Sequence, residues 1–142
     1  MSCVSFGGRA WLERLRAAAD DPRPVAEFRS PEHSASKVRR IRLLAESGDP
    51  VIRESAALSY LAPIEVLERL ADDEQPGVRC CVARNHNTPA VVLERLSRDP
   101  DAGVRGWVAA NPATTGNVLA ELQRDPQAPV RSVADWAVAS AC

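Results

Sequence analysis

The stretch Asp99–Arg124, DPDAGVRGWVAANPATTGNVLAELQR, decides the fold, because the chain repeats it. Moved back by 26 residues, Val104-Arg105 falls on Val78-Arg79, and Leu119 and Leu122 fall on Leu93 and Leu96. A second step back of 26 gives Ile52-Arg53 with Leu67 and Leu70, and one step forward gives Val130-Arg131. A fixed period of this length marks a solenoid, in which each unit buries its apolar face only against its neighbours. The expected class is an all-α stack of short two-helix repeats without strand pairing. Each unit opens on a turn rich in Asp and Pro: Gly48-Asp49-Pro50, Asp73 to Gly77, Asp99 to Gly103, Asp125 to Pro129. A first helix follows, with inward pairs Ile52/Ala56, Val78/Val82, Val104/Val108 and Val130/Ala134, four apart and so on one face. A second helix carries Val66/Leu67/Leu70, Val92/Leu93/Leu96 and Val118/Leu119/Leu122. Thr88 and Thr114 read as its N-caps, with Pro89 and Pro63 at the first helical position. Helices of about two to three turns do not persist alone in water, so stacking must hold them.

The chain is expected to form a single domain. Residues 1–8 read as a flexible leader, 9–35 as a degenerate N-terminal cap, 36–124 as regular repeats and 125–142 as a C-terminal capping helix in which Asp135 and Trp136 leave the frame. Ser36 reads as the N-cap of a helix over Lys37–Glu46 with Val38, Ile41, Leu44 and Ala45 inward. The net charge of −1 exerts no overall pull on nucleic acid or anionic lipid. No apolar run is long enough to span a membrane, and the N-terminus lacks an apolar signal core, so a cytoplasmic setting is expected. Cys3, Cys80, Cys81 and Cys142 have no metal-ligand spacing. With no nucleophile elbow, catalytic carboxylate pair or phosphate-binding glycine loop, neither catalysis nor a cofactor or metal is expected.

The unit DPDAGVRGWVAANPATTGNVLAEL and, less closely, QPGVRCCVARNHNTPAVVLERL resemble the variant leucine-rich repeat, LRV. The resemblance covers residues 36–138 well and 9–35 poorly. It implies a right-handed α-solenoid akin to HEAT and armadillo proteins, pairing a short, often 3₁₀-like helix with an α-helix. Some LRV proteins carry an N-terminal iron–sulfur segment with clustered cysteines. This chain has only Cys3 there, so that cluster is not carried over.

Several candidate sites stand out. Arg53, Arg79, Arg105 and Arg131 each follow an acidic turn, at Asp49, Asp73, Asp99 and Asp125. They either form a structural Asp–Arg ladder between units, as HEAT-like repeats do, or line a groove that grips phosphates or carboxylates. Asn85 and Asn111 recur at the end of the first helix, where turn capping is the expected role. Cys80-Cys81 reads as small core filler, and His33 and His86 as non-catalytic. Residues 1–53 hold ten basic and seven acidic groups, net +3, against eight and twelve, net −4, over 54–142. The expected role is a protein–protein interaction or adaptor module. Its contacts would fall on Lys37, Arg39, Arg40 and Arg42, on Glu65, Glu68, Arg69, Glu94 and Arg95 of the second helices, on the 29–35 loop, and on a protruding Trp107. The alternative is nucleic-acid backbone binding through Lys37, Arg39, Arg40 and Arg42.

Overall fold

A computed structural model describes residues 35–140 of the chain. The leader, His33, and the degenerate cap with its 29–35 loop, all but Ala35, lie outside the described residues. Eight α-helices and no strand occur among the described residues: α1 Ala35–Leu44, α2 Pro50–Ala57, α3 Ile64–Leu70, α4 Pro76–Arg84, α5 Ala90–Leu96, α6 Ala102–Ala110, α7 Gly116–Leu122 and α8 Ala128–Ser140. The first helices start at Pro50, Pro76, Ala102 and Ala128, 26 apart, and the second helices at Ile64, Ala90 and Gly116, again 26 apart.

The first helices α2, α4, α6 and α8 stack directly on one another, and each second helix packs beside its own unit's first helix. Small side chains permit the close approach: Ala57, Ala83 and Ala109 are sealed in the stack. Between the rows lies a dry core of Val78, Val82, Val104 and Val108 from the first helices, with Leu67 and Leu93 from the second. Each helix thus buries one stripe, and burial rather than helix propensity holds these short segments.

Several local expectations are corrected. The first helices are α-helical rather than 3₁₀: Arg53 N–H donates to the Asp49 carbonyl at 3.2 Å and Arg79 N–H to that of Gln75 at 3.3 Å, both four residues back. At seven residues, the second helices are the shorter members. Thr88 and Thr114 do not cap them. Their hydroxyls turn back to the Val82 and Val108 carbonyls at 2.6 Å, and α5 starts from Pro89 with no side-chain cap. The threonines therefore tie off the first helix of the same unit. Ser36 lies inside α1 rather than before it. Ile52, expected inward, is 37% exposed, because no earlier first helix among the described residues covers it as α2 covers Val78.

Candidate interaction surfaces

The arginine row lies inside the stack. Arg53 donates through Nε and Nη2 to Asp73 at 2.7 and 2.9 Å, Arg79 to Asp99 at 2.7 and 2.9 Å, and Arg105 to Asp125 at 2.6 and 3.0 Å. The third nitrogen of each fork is also used. Nη1 of Arg53 donates to the Ser47 and Gly48 carbonyls, that of Arg79 to Asp73 and Glu74, and that of Arg105 to Asp99 and Pro100. Each guanidinium clamps the turn that begins its own unit and the carboxylate of the next, and these side chains are only 4–14% exposed. The hydrogen bonds from Arg53 and Arg105 hold Asp73 and Asp125 below the ordinary carboxylate range. Burial pushes Asp99 up, but Arg79 and the Asp101 N–H outweigh it and leave the group low.

Two members of the row differ from expectation. The acid that each arginine meets lies 20 residues ahead, so the ladder frame runs through 73, 99 and 125, and its counterpart 26 residues before Asp73 is Ser47. Asp49 is therefore no rung; it caps α2 by accepting from Val51 N–H at 2.9 Å. Arg131 donates to the Asp125 and Pro126 carbonyls at 2.7 and 3.0 Å and meets no carboxylate among the described residues.

A second ladder runs the opposite way. Asn85 Nδ2 donates to the Ala57 and Ser59 carbonyls, and Asn111 Nδ2 to those of Ala83 and Asn85, all within 2.6–2.9 Å. Their Oδ1 atoms accept from Asn87 and Ala113 N–H, so both amides are saturated. Arginine reaches forward and asparagine back, and the turn geometry of each unit is held from both sides.

On the rim formed by the second helices, the charges pair across units, with one pair, Arg98–Glu94, inside a unit. Arg42 meets Glu65 at 2.6 Å, Arg69 meets Glu46 at 3.3 Å, Arg95 meets Asp72 at 3.3 Å, and Arg98 meets Glu121 at 3.5 Å and Glu94 at 3.8 Å. Arg95 also donates to the Glu68 carbonyl. These side chains are 49–66% exposed, and a shallow groove between α3 and α5 runs among them past Val91. Lys37, Arg39 and Arg40 are exposed on α1 with no ionic partner among the described residues. Arg40 occupies the frame position at which Val66, Val92 and Val118 are buried.

The edge where the first helices end is different in kind. Leu58, Tyr60, Arg84, His86 and Asn87 surround one cleft floored by Asn85. Arg84 and His86 also wall a second, which Trp107, Ala110 and Pro112 complete over Asn111. Tyr60 is 71% exposed, Leu58 46% and Trp107 42%; Arg84 lies over the Trp107 ring at 5.0 Å, a cation–π contact. Trp136, whose residue type departs from the repeat, still sits at the position that Leu58 and Arg84 hold in earlier units and is 65% exposed. Of this edge, the sequence patterning singles out only Trp107 as a partner residue. The missed signal was the frame itself: positions 58, 84, 110 and 136, and 60, 86 and 112, all fall just beyond the last buried turn of a first helix.

Cys80 and Cys81 are half-buried against the core. Burial pushes the Cys80 thiol up to about 11 and raises that of Cys81, so neither is a ready thiolate. Among the described residues no group of three His, Cys, Asp or Glu side chains is placed to hold a metal, and no helix is long and apolar enough to cross a membrane.

The interval from Pro76, where α4 begins, to Asp101, which caps α6, is one full period of this geometry. Residues 76–101 match the family model described as Leucine rich repeat variant. The LRV match contains one rung of each ladder, Arg79 with Asp99 and Asn85, and both histidine and arginine walls of the clefts. No curated protein and no solved structure matches the chain.

Proposed function

We propose that this chain is a non-catalytic protein-interaction module that engages its partner along the edge where the first helices end. LRV repeats serve in general as interaction modules, which supports the class of function. The observation that carries the choice of surface is the pair of adjoining clefts bounded by Tyr60, Leu58 and Trp107, with the polar floor already satisfied by its own backbone. Exposed aromatics around such clefts are favoured anchors for a protein partner. On the rim, by contrast, Glu65, Arg69, Glu94 and Arg95 are already engaged by Arg42, Glu46, Arg98 and Asp72, and the Glu68 carbonyl accepts from Arg95. The test is a pulldown from the native host with nuclease present, comparing the wild-type chain with the double variant Tyr60→Ala/Trp107→Ala. A protein retained by the former and lost by the latter supports the surface; equal retention moves it elsewhere.

A second reading, nucleic-acid backbone binding, draws on Lys37, Arg39 and Arg40, exposed on α1 with no ionic partner among the described residues. Arg42, the fourth residue of that patch, is already engaged by Glu65. The variant Arg39→Glu/Arg40→Glu should then abolish a retention that also weakens steeply with salt. Salt-insensitive retention by this variant ends that reading.

A further inference from the structure

The two clefts have a geometry that selects among the ways a protein can present a peptide. No strand edge exists among the described residues, so a ligand strand has nothing to extend. The clefts follow the stacking of first helices, whose axes in close packing lie about 8–10 Å apart. One turn of polyproline II helix, three residues at about 3.1 Å each, covers about 9 Å. An extended segment in that form therefore returns the same face to the surface once per repeat unit.

The chemistry agrees with the spacing. The cleft floors offer little to a ligand backbone, because the amides of Asn85 and Asn111 are spent on carbonyls and turn N–H groups. A proline-rich backbone lacks N–H donors and keeps its carbonyls in water, so it loses least there. Aromatic walls at Tyr60 and Trp107 suit proline and aliphatic rings. Arg84 stands between the clefts, stacked on Trp107, with no carboxylate partner among the described residues. Its guanidinium donors therefore complement an acidic side chain. The geometry points to a proline-rich segment of a partner protein, bound as a polyproline II helix with apolar residues three apart in the two clefts and an acidic residue over Arg84. This rests on the interaction-module reading above and names the ligand class for that surface.

The test titrates the full chain, by NMR, with a synthetic proline peptide carrying two leucines three residues apart and a glutamate between them. Amide and indole shifts should concentrate at Leu58–Tyr60, Arg84–Asn87 and Trp107–Pro112. Replacing the peptide's glutamate with lysine should weaken binding about tenfold, the weight of one good anchor. Arg84→Glu should reverse that preference, a readout that loss of folding cannot imitate. Absence of shifts at the clefts, or equal binding of a peptide with glycine in place of the prolines, overturns the proposal. If the pulldown partner is lost on Tyr60→Ala/Trp107→Ala while the proline peptide leaves the clefts untouched, the ligand class falls and the interaction surface stands. If neither responds, both fall.

Discussion

Two sets of arginine–carboxylate pairs link neighbouring units, one inside the stack and one on its rim, and they differ in everything but chemistry. Inside, Arg79 and Asp99 meet bidentately at 14% and 5% exposure, with the remaining arginine nitrogen on two turn carbonyls. On the rim, Arg95 and Asp72 meet at 3.3 Å with half or more of each side chain in water. The interior pair replaces the water it has lost with a full set of hydrogen bonds, so removing one partner strands the other. The rim pair gives up little hydration and gains little. The same residue types are thus framework in one place and solvated surface in the other.

The largest effect should come from stranding an interior arginine. Asp99→Ala is expected to cost about 2 kcal/mol in urea unfolding, between the limits for exposed and buried pairs. A cost indistinguishable from zero would erase the contrast with the rim. Next comes Asn111→Ala, which leaves the Ala83 and Asn85 carbonyls without their donor. About 1–2 kcal/mol is expected, and rescue by Asn111→Asp, which has no N–H to offer, should fail.

Acidification sharpens the comparison further. Asp73, Asp99 and Asp125 all have folded-state values below the ordinary one. Their contribution is complete above about pH 4 and is lost as pH falls through the lower folded values. The thermal midpoint should therefore drop on acidification below that point, and less steeply in Asp99→Asn, whose midpoint starts lower. A pH profile unchanged by that substitution would count against the ladder as its origin. The smallest effect belongs to the rim: Arg95→Ala should leave the urea midpoint within error at neutral pH and moderate salt. A clear shift there would show the rim charges to be structural after all.

The sequence by itself determined the repeat, the helical class and the core, because burial of Val78, Val104, Leu67 and Leu93 follows directly from a 26-residue period and helical spacing. It also marked the arginines and the acids that could oppose them. Which acid each arginine meets was decided only by stacking: the partner lies one unit ahead, and Asp49, close in sequence, lies outside the ladder frame and caps a helix instead. The threonines show the same limit. Thr88 has the side chain of a cap, yet the cap position falls one residue later, on Pro89, and the Thr88 hydroxyl donates to the Val82 carbonyl instead. The clefts were least legible, since Tyr60, Arg84 and Trp107 lie in different units and only the superposition of successive turns sets them side by side. Periodicity is a local property that a sequence states outright. Pairing across units depends on the offset between stacked helices, and that offset is set by how closely alanine-lined surfaces such as Ala57, Ala83 and Ala109 can approach.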